Sequence, residues 1–159
     1  AIDLVSQFPN QAFVLDHIAK PKISEGLERN WKANIKKIAA YPNVNCKLSG
    51  MVTETTDFQW KQADFRPFME VILAEFGFNR VMYGSDWPVC LLSAKYKEQL
   101  AIVQEYIATF SAYEQAKIMG QNTIEFYNLE YTSTPNFFPT SITPASFLFV
   151  TISSGCINS

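Results

Sequence analysis

Three short polar clusters hold the residues of this sequence that are best suited to chemistry. They are Asp16-His17 with Lys20-Pro21, Lys47-Leu48-Ser49-Gly50 with Glu54, and Gly84-Ser85-Asp86-Trp87-Pro88. A neutral imidazole and a carboxylate, such as those of His17 and Asp86, are usable ligands for a divalent ion such as zinc. Asp86 is alternatively a candidate general base toward water. Two donors do not complete a metal site, because a hydrolytic metal needs about three protein ligands and an open position for water.

Each candidate also has a plain structural explanation. A single histidine is often a helix cap or a satisfied core imidazole, and an aspartate near a proline often makes a turn. Lys20 is most simply a solvated surface lysine, and Trp87 is as often a core residue as a pocket wall. Cys90 is expected to pack, because the sequence shows no base that would lower the pKa of its thiol. His17 and Asp86 gain weight only if the fold brings them together.

The hydrophobic spacing predicts strands and helices in alternation. Short apolar runs that are typical of buried parallel strands lie at 12–16, 44–49 and 80–83. Apolar stripes at helical spacing begin at Leu27, Phe65 and Leu100. The strands therefore recur roughly every 30 to 36 residues with a helix between them, as in right-handed βαβ units. This order predicts an α/β fold with a parallel sheet.

The carboxyl ends of parallel strands meet at one edge of a sheet, where α/β proteins place their active sites. His17 follows the first predicted strand and Asp86 follows the third, so both are expected at the same edge. Lys47 alternates with Cys46 and Leu48 along the second strand and therefore faces the opposite side. If that side is a barrel interior, the charge of Lys47 requires a partner. Three strands predict either a small open domain or part of a larger barrel.

Composition excludes several classes of function. The chain has 159 residues, with 13 Lys and Arg against 15 Asp and Glu, so it lacks the basic excess typical of nucleic-acid binding. Three scattered cysteines without a C-x-x-C pair exclude a disulfide framework and a structural zinc cluster. No apolar run reaches the roughly 20 residues that a membrane helix requires. We expect a soluble, cytoplasmic protein that binds neither nucleic acid nor membrane.

Three strings of residues at the predicted strand ends form recognisable motifs. They are Phe13-Val14-Leu15-Asp16-His17-Ile18-Ala19-Lys20-Pro21, Asn45-Cys46-Lys47-Leu48-Ser49-Gly50 and Arg80-Val81-Met82-Tyr83-Gly84-Ser85-Asp86-Trp87-Pro88. These strings resemble the amidohydrolase-2 family, the TIM-barrel metal-dependent hydrolases that include sugar lactonases and pyrone-dicarboxylate lactonase. The third string is quite specific for this family and the first is moderately specific, whereas the second is weak evidence for the family by itself. The segment 121–127 resembles the closing helix of the family, so the resemblance covers about residues 1–131.

The resemblance implies that residues 1–131 are an incomplete (β/α)8 TIM barrel, with strands six to eight and their helices. It implies that His17 and Asp86 are metal ligands in a hydrolase that opens a lactone or related ester of a small sugar acid or dicarboxylate. Asp86 would take a proton from water and deliver it to the leaving oxygen. Lys47, Glu54 and Trp87 would face the substrate.

The family generally adds an H-x-H pair after strand one, and this sequence contains no such pair. We therefore expect zinc or manganese in the complete enzyme, but no tight metal binding and no lactonase activity of this chain alone. The alternative is a non-catalytic interaction or partner-dependent protein derived from the same barrel. Open sheet edges would favour self-association of such a chain.

Residues 132–159 differ in composition from the rest of the chain. None of them is charged, and 14 of the 28 are Ser, Thr or Pro. Within this tail, residues 147–152 form an uncharged apolar run of the type that pairs as strands and aggregates. We expect the tail to be a separate region that is poorly ordered or pairs irregularly.

Overall fold

A computed structural model of the chain describes residues 1–129 and 148–150. Within these residues there are six α-helices and four short β-strands. In chain order they are α1 (Ile2–Gln7), β1 (Phe13–Leu15), α2 (Arg29–Ala39), β2 (Val44–Leu48), α3 (Gln62–Phe76), β3 (Val81–Tyr83), α4 (Tyr96–Ile107), α5 (Ala112–Ala116), α6 (Asn122–Tyr127) and β4 (Leu148–Val150).

The strands form one parallel sheet in the order β3-β2-β1-β4. Leu15 at the end of β1 pairs with Cys46, and Tyr83 at the end of β3 pairs with Leu48. The carboxyl ends of β1, β2 and β3 therefore lie side by side, and the residues that follow them share one edge. The α/β fold with a parallel sheet is confirmed, and each predicted strand is one to two residues shorter than expected.

The core lies where α2 and α3 pack against each other and against the sheet. The buried stripe of α2 contains Trp31 and Ile35, and that of α3 contains Phe68 and Ile72. The rings of Trp31 and Phe68 meet edge to face with centroids 5.3 Å apart. Burial of each such side chain stabilises the fold by roughly 1.5–3 kcal/mol. This packing fixes α2 against the sheet and holds Trp31 close to the carboxyl end of β1.

Two polar side chains bind the start of β3 to its neighbours, at the edge opposite the polar clusters. The Arg80 guanidinium donates hydrogen bonds to the carbonyls of Ala39, Tyr41 and Val44, at 2.9, 2.9 and 3.0 Å respectively. Arg80 thereby connects the end of α2, the start of β2 and the start of β3. Its pKa is lowered by partial burial, but an arginine remains charged over all ordinary pH values.

The buried amide of Asn122 has a second clamping role. Its Nδ2 atom donates to the carbonyls of Phe78 at 2.6 Å and Val81 at 2.7 Å. The pair Asn122 and Glu125 in the sequence predicts a short helix that starts at Asn122 and is separated by Gly120 from a helix that starts at Ser111. Helix α6 does begin at Asn122, but the predicted break at Gly120 is wrong, because a π-helical segment at Lys117–Gln121 joins α5 to α6 without interruption. The helical backbone at Asn122 leaves its side chain free to bind the chain before and within β3.

The tail contributes β4, which pairs in parallel with β1. Strand β1 is therefore not an outer strand of the sheet, as three strands alone would make it, and the two outer strands of the described sheet are β3 and β4. The remainder of the predicted tail lies outside the described residues, so its expected disorder and the domain boundary at 131 stay predictions. Self-association through sheet edges also stays a prediction.

Helices of the described part of the chain do not combine the length and apolar character that crossing a membrane requires.

Replacing Arg80 with methionine is expected to lower the free energy of unfolding by about 2–3 kcal/mol, because three carbonyls lose a charged donor. Urea denaturation monitored by circular dichroism measures the change. Arg66→Met is the matched control, since Arg66 is exposed on α3 and, among the described residues, pairs with Glu70 and lies over the Tyr106 ring. The control should cost less than about 1 kcal/mol. Equal losses in the two variants would contradict the clamping role of Arg80.

Candidate active site

His17, Ser49 and Asp86 come together at the carboxyl edge of the sheet. The Nδ1 atom of His17 lies 2.9 Å from the Ser49 hydroxyl oxygen, and its Nε2 atom lies 3.8 Å from Oδ1 of Asp86. The side chains of His17 and Asp86 are 21% and 14% exposed, so both remain accessible from the open side of the edge. The structure thus places His17 and Asp86 together, as the sequence predicts.

A left-handed turn directs His17 toward this edge. His17, Ile18, Ala19 and Lys20 all have positive φ angles between 47° and 61°. Each residue other than glycine that adopts this conformation costs roughly 1–2 kcal/mol, and a β-branched residue such as Ile18 is the least suited to it. Surrounding contacts must therefore hold the turn in place.

Buried contacts supply that support. Ile18 and Ala19 are 0% exposed, and the indole Nε1 of Trp31 donates a hydrogen bond to the Ile18 carbonyl at 2.9 Å. The Lys20 amide donates to the His17 carbonyl at 2.8 Å and closes the turn. Asp86 has a left-handed backbone as well, with φ of 54°. Both candidate catalytic residues thus have unfavourable backbone angles that the surrounding fold maintains.

Two glycines allow the close approach of the strand ends. A β-carbon added to Gly50, whose φ is +62°, would lie 2.6 Å from Nδ1 of His17. A β-carbon added to Gly84 would lie 3.0 Å from the β-carbon of Ser49. Any larger residue at Gly50 would overlap the imidazole, and at Gly84 it would crowd Ser49. The hydrogen bond between His17 and Ser49 therefore depends on glycine at both neighbouring positions.

Lys47 is paired with Asp16 beside this cluster. Its Nζ atom lies 3.1 Å from Oδ1 of Asp16 and 5.7 Å from the centre of the Tyr127 ring. Desolvation lowers the pKa of Lys47, but the combined effect of Asp16 and Tyr127 is larger and raises the pKa above its ordinary value. The charge of Lys47 therefore has the partner that the sequence requires for a buried face, and Tyr127 brings the closing helix α6 to the same place.

The other predicted substrate residues occupy different surroundings. Glu54, in the loop after β2, accepts a hydrogen bond from Lys20 at 2.8 Å, so this pair joins the loops that follow β1 and β2. Trp87 is 64% exposed next to Asp86. Roles of Lys47, Glu54 and Trp87 in substrate binding stay predictions. Lys20, expected to be a solvated lysine, instead has this specific partner.

Cys90 packs as predicted. The residue is 0% exposed, and the pKa of its thiol is raised by burial and by the negative charge of Asp86. A thiol that is both buried and protonated is a poor nucleophile. Asp86 is therefore the reactive candidate in this loop. The buried Cys90 donates its backbone N–H to the Asp86 carbonyl at 2.8 Å.

His17 and Asp86 suit a shared divalent ion. Zinc binds imidazole nitrogen and carboxylate oxygen at about 2.0–2.2 Å, so two ligands of one ion lie at most about 4.2 Å apart. The observed 3.8 Å between Nε2 and Oδ1 meets this limit. Nowhere in the described residues do three or more His, Cys, Asp or Glu side chains form a group that could hold a metal ion. These two residues fit as part of a metal site and not as the whole of one.

Sequence reasoning missed the supporting residues of the site. In the sequence, Ser49, Gly50 and Gly84 stand only as strand-end or turn residues, and no pattern marks Asp16 as the partner of Lys47. The available signal was the pairing of a small polar residue with glycine directly after a strand, where two chain segments must approach closely. Which partner each of them has is a tertiary fact that spacing along the chain does not encode.

The chain is similar to known proteins in sequence and in fold. The family model described as Amidohydrolase matches residues 1–129. An L-fucono-1,5-lactonase from Burkholderia multivorans is 38% identical over 130 residues, which is 73% of this chain and 43% of that protein. A crystal structure of an amidohydrolase from B. multivorans with bound zinc superposes with a TM-score of 0.76 at 34% identity, covering 81% of this chain and 48% of that one.

A more distant structure supports the fold alone. The putative 2-pyrone-4,6-dicarboxylic acid hydrolase from Pseudomonas putida is 21% identical and has a TM-score of 0.65, over 82% of this chain and 49% of that one. The present chain thus spans about half the length of the proteins that it matches.

Substituting alanine for Gly50 is expected to displace the His17 ring, because the new methyl group would occupy the space beside Nδ1. His17 is the only histidine, so its ring protons give a single set of NMR signals that reports the displacement. The added strain and overlap should also lower the free energy of unfolding by about 2 kcal/mol or more.

Gly26→Ala is the matched control for this substitution. Gly26 also has a positive φ, of +78°, but a β-carbon there would have no neighbour within 4 Å. Both variants should be destabilised by backbone strain, whereas only Gly50→Ala should shift the His17 signals. Unchanged His17 signals in folded Gly50→Ala would show that the close approach at Gly50 is not maintained.

The charge of Lys47 should stabilise the fold in a pH-dependent way. Because its pKa is raised in the folded state, the ammonium contribution is fully present below the unfolded pKa and is lost as the pH rises through the folded pKa. The stability advantage of the wild type over Lys47→Met should therefore be constant from pH 7 to about pH 9 and shrink above about pH 10.5. Denaturant unfolding at several pH values measures it. Lys22→Met, at an exposed lysine, is the control for the loss of a surface ammonium group.

Proposed function

The chain belongs to the amidohydrolase family, and on that premise we propose that it carries part of the active site of a metal-dependent lactonase. The observation that carries the proposal is the meeting of His17 Nε2 and Asp86 Oδ1, 3.8 Å apart, at the carboxyl edge of a parallel sheet. This edge is where parallel α/β folds place catalysis. The substrate we propose is a lactone, or a related ester, of a small sugar acid or dicarboxylate.

In this proposal the three strands β1, β2 and β3 are strands six, seven and eight of a (β/α)8 barrel. Their parallel pairing and their order support it, as does the similarity to solved amidohydrolases over about half of those chains. In this chain β4 pairs with the side of β1 where a closed barrel would have a further strand. A cytoplasmic location remains part of the same prediction.

The residues of this chain have distinct tasks in lactone opening. Asp86 accepts a proton from a water molecule as the water oxygen forms a bond to the lactone carbonyl carbon. When the bond from that carbon to the ring oxygen breaks, Asp86 returns the proton to the ring oxygen, so that an open hydroxy acid leaves. His17 and Asp86 would hold the metal, and zinc or manganese bound there would supply polarisation of the carbonyl and a lower pKa of the bound water.

Neighbouring groups would orient the substrate. Lys47 carries a fixed positive charge at the same edge through its pairing with Asp16. Glu54, held by Lys20, and the exposed ring of Trp87 lie on the loops that follow β2 and β3. Sugar-acid lactones present several hydroxyl groups and a polar ring face, which suit hydrogen bonding to charged groups and packing on an indole. We assign these three residues to substrate selection rather than to the bond-breaking step.

A partner-dependent, non-catalytic protein is the second candidate. The observation that favours it is the donor set, since His17 and Asp86 meet without a third ligand in any group that the described residues form. A hydrolytic zinc site generally requires about three protein ligands and an open position. On this basis we propose that the chain by itself opens no lactone and that activity requires further ligands.

The decisive experiment changes Asp86 to asparagine in a protein that joins this sequence to the remaining ligands of a lactonase barrel. Loss of the general base should lower kcat for opening L-fucono-1,5-lactone by about 10²- to 10⁴-fold. Acid release is followed with a pH indicator in the presence of zinc or manganese. The chain alone, assayed in parallel, should release no acid above the uncatalysed rate.

Asp57→Asn is the matched control, because Asp57 is an exposed loop aspartate with almost the same backbone angle, φ of 51° against 54°. It should retain full activity. Unchanged turnover in Asp86→Asn would remove Asp86 from the role of base. Lactone opening by the chain alone would instead contradict the need for further ligands.

A further inference from the structure

We infer that Gln99 on α4 is a positioning residue for Asp86, because its buried amide binds the end of β3 directly before the loop that carries this carboxylate. The catalytic meaning of this inference rests on the proposed lactonase function. The contact itself is a property of the folded chain and can be tested without an enzymatic assay.

Gln99 is a polar residue on the otherwise apolar buried face of α4. The other buried residues of this helix are Ile102, Val103 and Ile107, and Gln99 itself is only 1% exposed. An apolar side chain at this position would have no polar atoms to satisfy, whereas a buried amide without partners is costly. Packing of α4 therefore does not by itself account for a glutamine here.

The amide of Gln99 has two partners at the end of β3. Its Nε2 atom donates to the Gly84 carbonyl at 3.2 Å, and its Oε1 atom accepts from the Tyr83 hydroxyl at 2.6 Å. Chemistry fixes both directions, because a carbonyl can only accept, so that Nε2 faces Gly84 and Oε1 is left for Tyr83. Burial raises the pKa of Tyr83, so its hydroxyl keeps the hydrogen that it donates.

Gly84 is thereby held by both β2 and α4. Its N–H donates to the Leu48 carbonyl of β2 at 3.1 Å, and its own carbonyl accepts from Gln99 of α4. That carbonyl belongs to the peptide bond between Gly84 and Ser85, and Asp86 is the next residue. The two contacts fix the point from which the Asp86 loop starts.

The backbone of Asp86 needs such support. Its φ of 54° is left-handed, and a residue other than glycine keeps this conformation only where its surroundings hold it. After Asp86, the Cys90 N–H holds the Asp86 carbonyl at 2.8 Å. Gln99 supplies the support before Asp86. A general base must lie within hydrogen-bond reach of the proton that it accepts, so the position of this loop affects the rate of the chemical step.

The experiment uses the whole chain with two selective labelling schemes in cell-free synthesis. The dipeptides Gly-Ser and Ser-Asp each occur once in the sequence, as Gly84-Ser85 and Ser85-Asp86. A ¹³C label on the carbonyl of the first residue type and a ¹⁵N label on the second therefore give one NMR peak for each peptide bond. Gln99→Met removes the amide and keeps a long side chain, and it should displace both peaks.

Gln115→Met is the matched control. The Nε2 atom of Gln115 donates to the Phe110 carbonyl at 2.8 Å, so this glutamine also bonds the backbone through its amide, but at the end of α4 away from Asp86. Both labelled peaks should stay in place in this variant. Equal displacement in the two glutamine variants would overturn the inference, as would unmoved peaks in folded Gln99→Met.

Tyr83→Phe is a second variant that keeps the inference testable if Gln99→Met fails to fold. It removes only a hydroxyl and leaves Oε1 of Gln99 without the donor that orients the amide. The Gly84–Ser85 peak should move in the same direction as in Gln99→Met and by a smaller amount. An unmoved peak in Tyr83→Phe would contradict the orientation of Gln99 by Tyr83.

The catalytic consequence is measured in the protein that joins this sequence to the remaining ligands of a lactonase barrel. At a temperature where every variant is fully folded, Gln99→Met should lower kcat about 10- to 100-fold through misplacement of Asp86 and leave KM almost unchanged. Gln115→Met should change neither. A purely structural role of Gln99 would lower the free energy of unfolding without this selective loss of kcat.

The results separate this inference from the lactonase proposal. Full kcat in Gln99→Met beside an active wild type would overturn the positioning role of Gln99 and leave Asp86 as the base. An inactive wild type of the joined protein would count against the lactonase proposal, whereas the two NMR peaks would still decide whether Gln99 positions the Asp86 loop.

Discussion

The left-handed turn at His17–Lys20 is the constraint on which the rest of the site depends. The chain leaves β1 in this left-handed geometry, and the imidazole then lies beside Ser49 and Asp86 at the ends of the neighbouring strands. Four consecutive residues with positive φ achieve this at a cost of several kcal/mol. The cost is offset by complete burial of Ile18 and Ala19 and by the hydrogen bond from Trp31. Because Trp31 also packs on Phe68, the position of His17 is linked to the packing of α2 on α3.

The remaining features of the edge are consequences of that placement. With the imidazole over the end of β2, there is no space for a side chain at Gly50, and Ser49 beside it becomes the natural partner for Nδ1. The other ring nitrogen then faces Asp86, whose backbone is left-handed too. Gly50 leaves space for the imidazole, Ser49 contacts its Nδ1 atom, and Asp86 faces its Nε2 atom. These residues therefore form one connected cluster around His17.

Two ion pairs lie beside the cluster of His17, Ser49 and Asp86. Lys47 with Asp16 and Lys20 with Glu54 each join the segment after β1 to β2 or to the loop that follows it. Both pairs are partly exposed, so solvent screening limits what they add to stability. Their more definite effect is geometric, because they hold the loops that surround His17. Family membership supplies the chemical context, and the donor set explains why catalysis is proposed only together with further ligands.

The sequence by itself determined the α/β fold, the parallel sheet and the pairing of His17 with Asp86 at one edge. These follow from local signals, since apolar spacing sets the elements and the βαβ rule sets their direction. The sequence did not predict the π-helical segment that continues the helix through Gly120, and it did not predict that β4 pairs with β1. Only the tertiary structure decided that Ser49 contacts Nδ1, that Asp16 pairs with Lys47, and that Gly50 and Gly84 make the contacts possible. Ser49 is 32 residues from His17 along the chain and Lys47 is 31 residues from Asp16, so their distances in space depend on packing that no local pattern encodes.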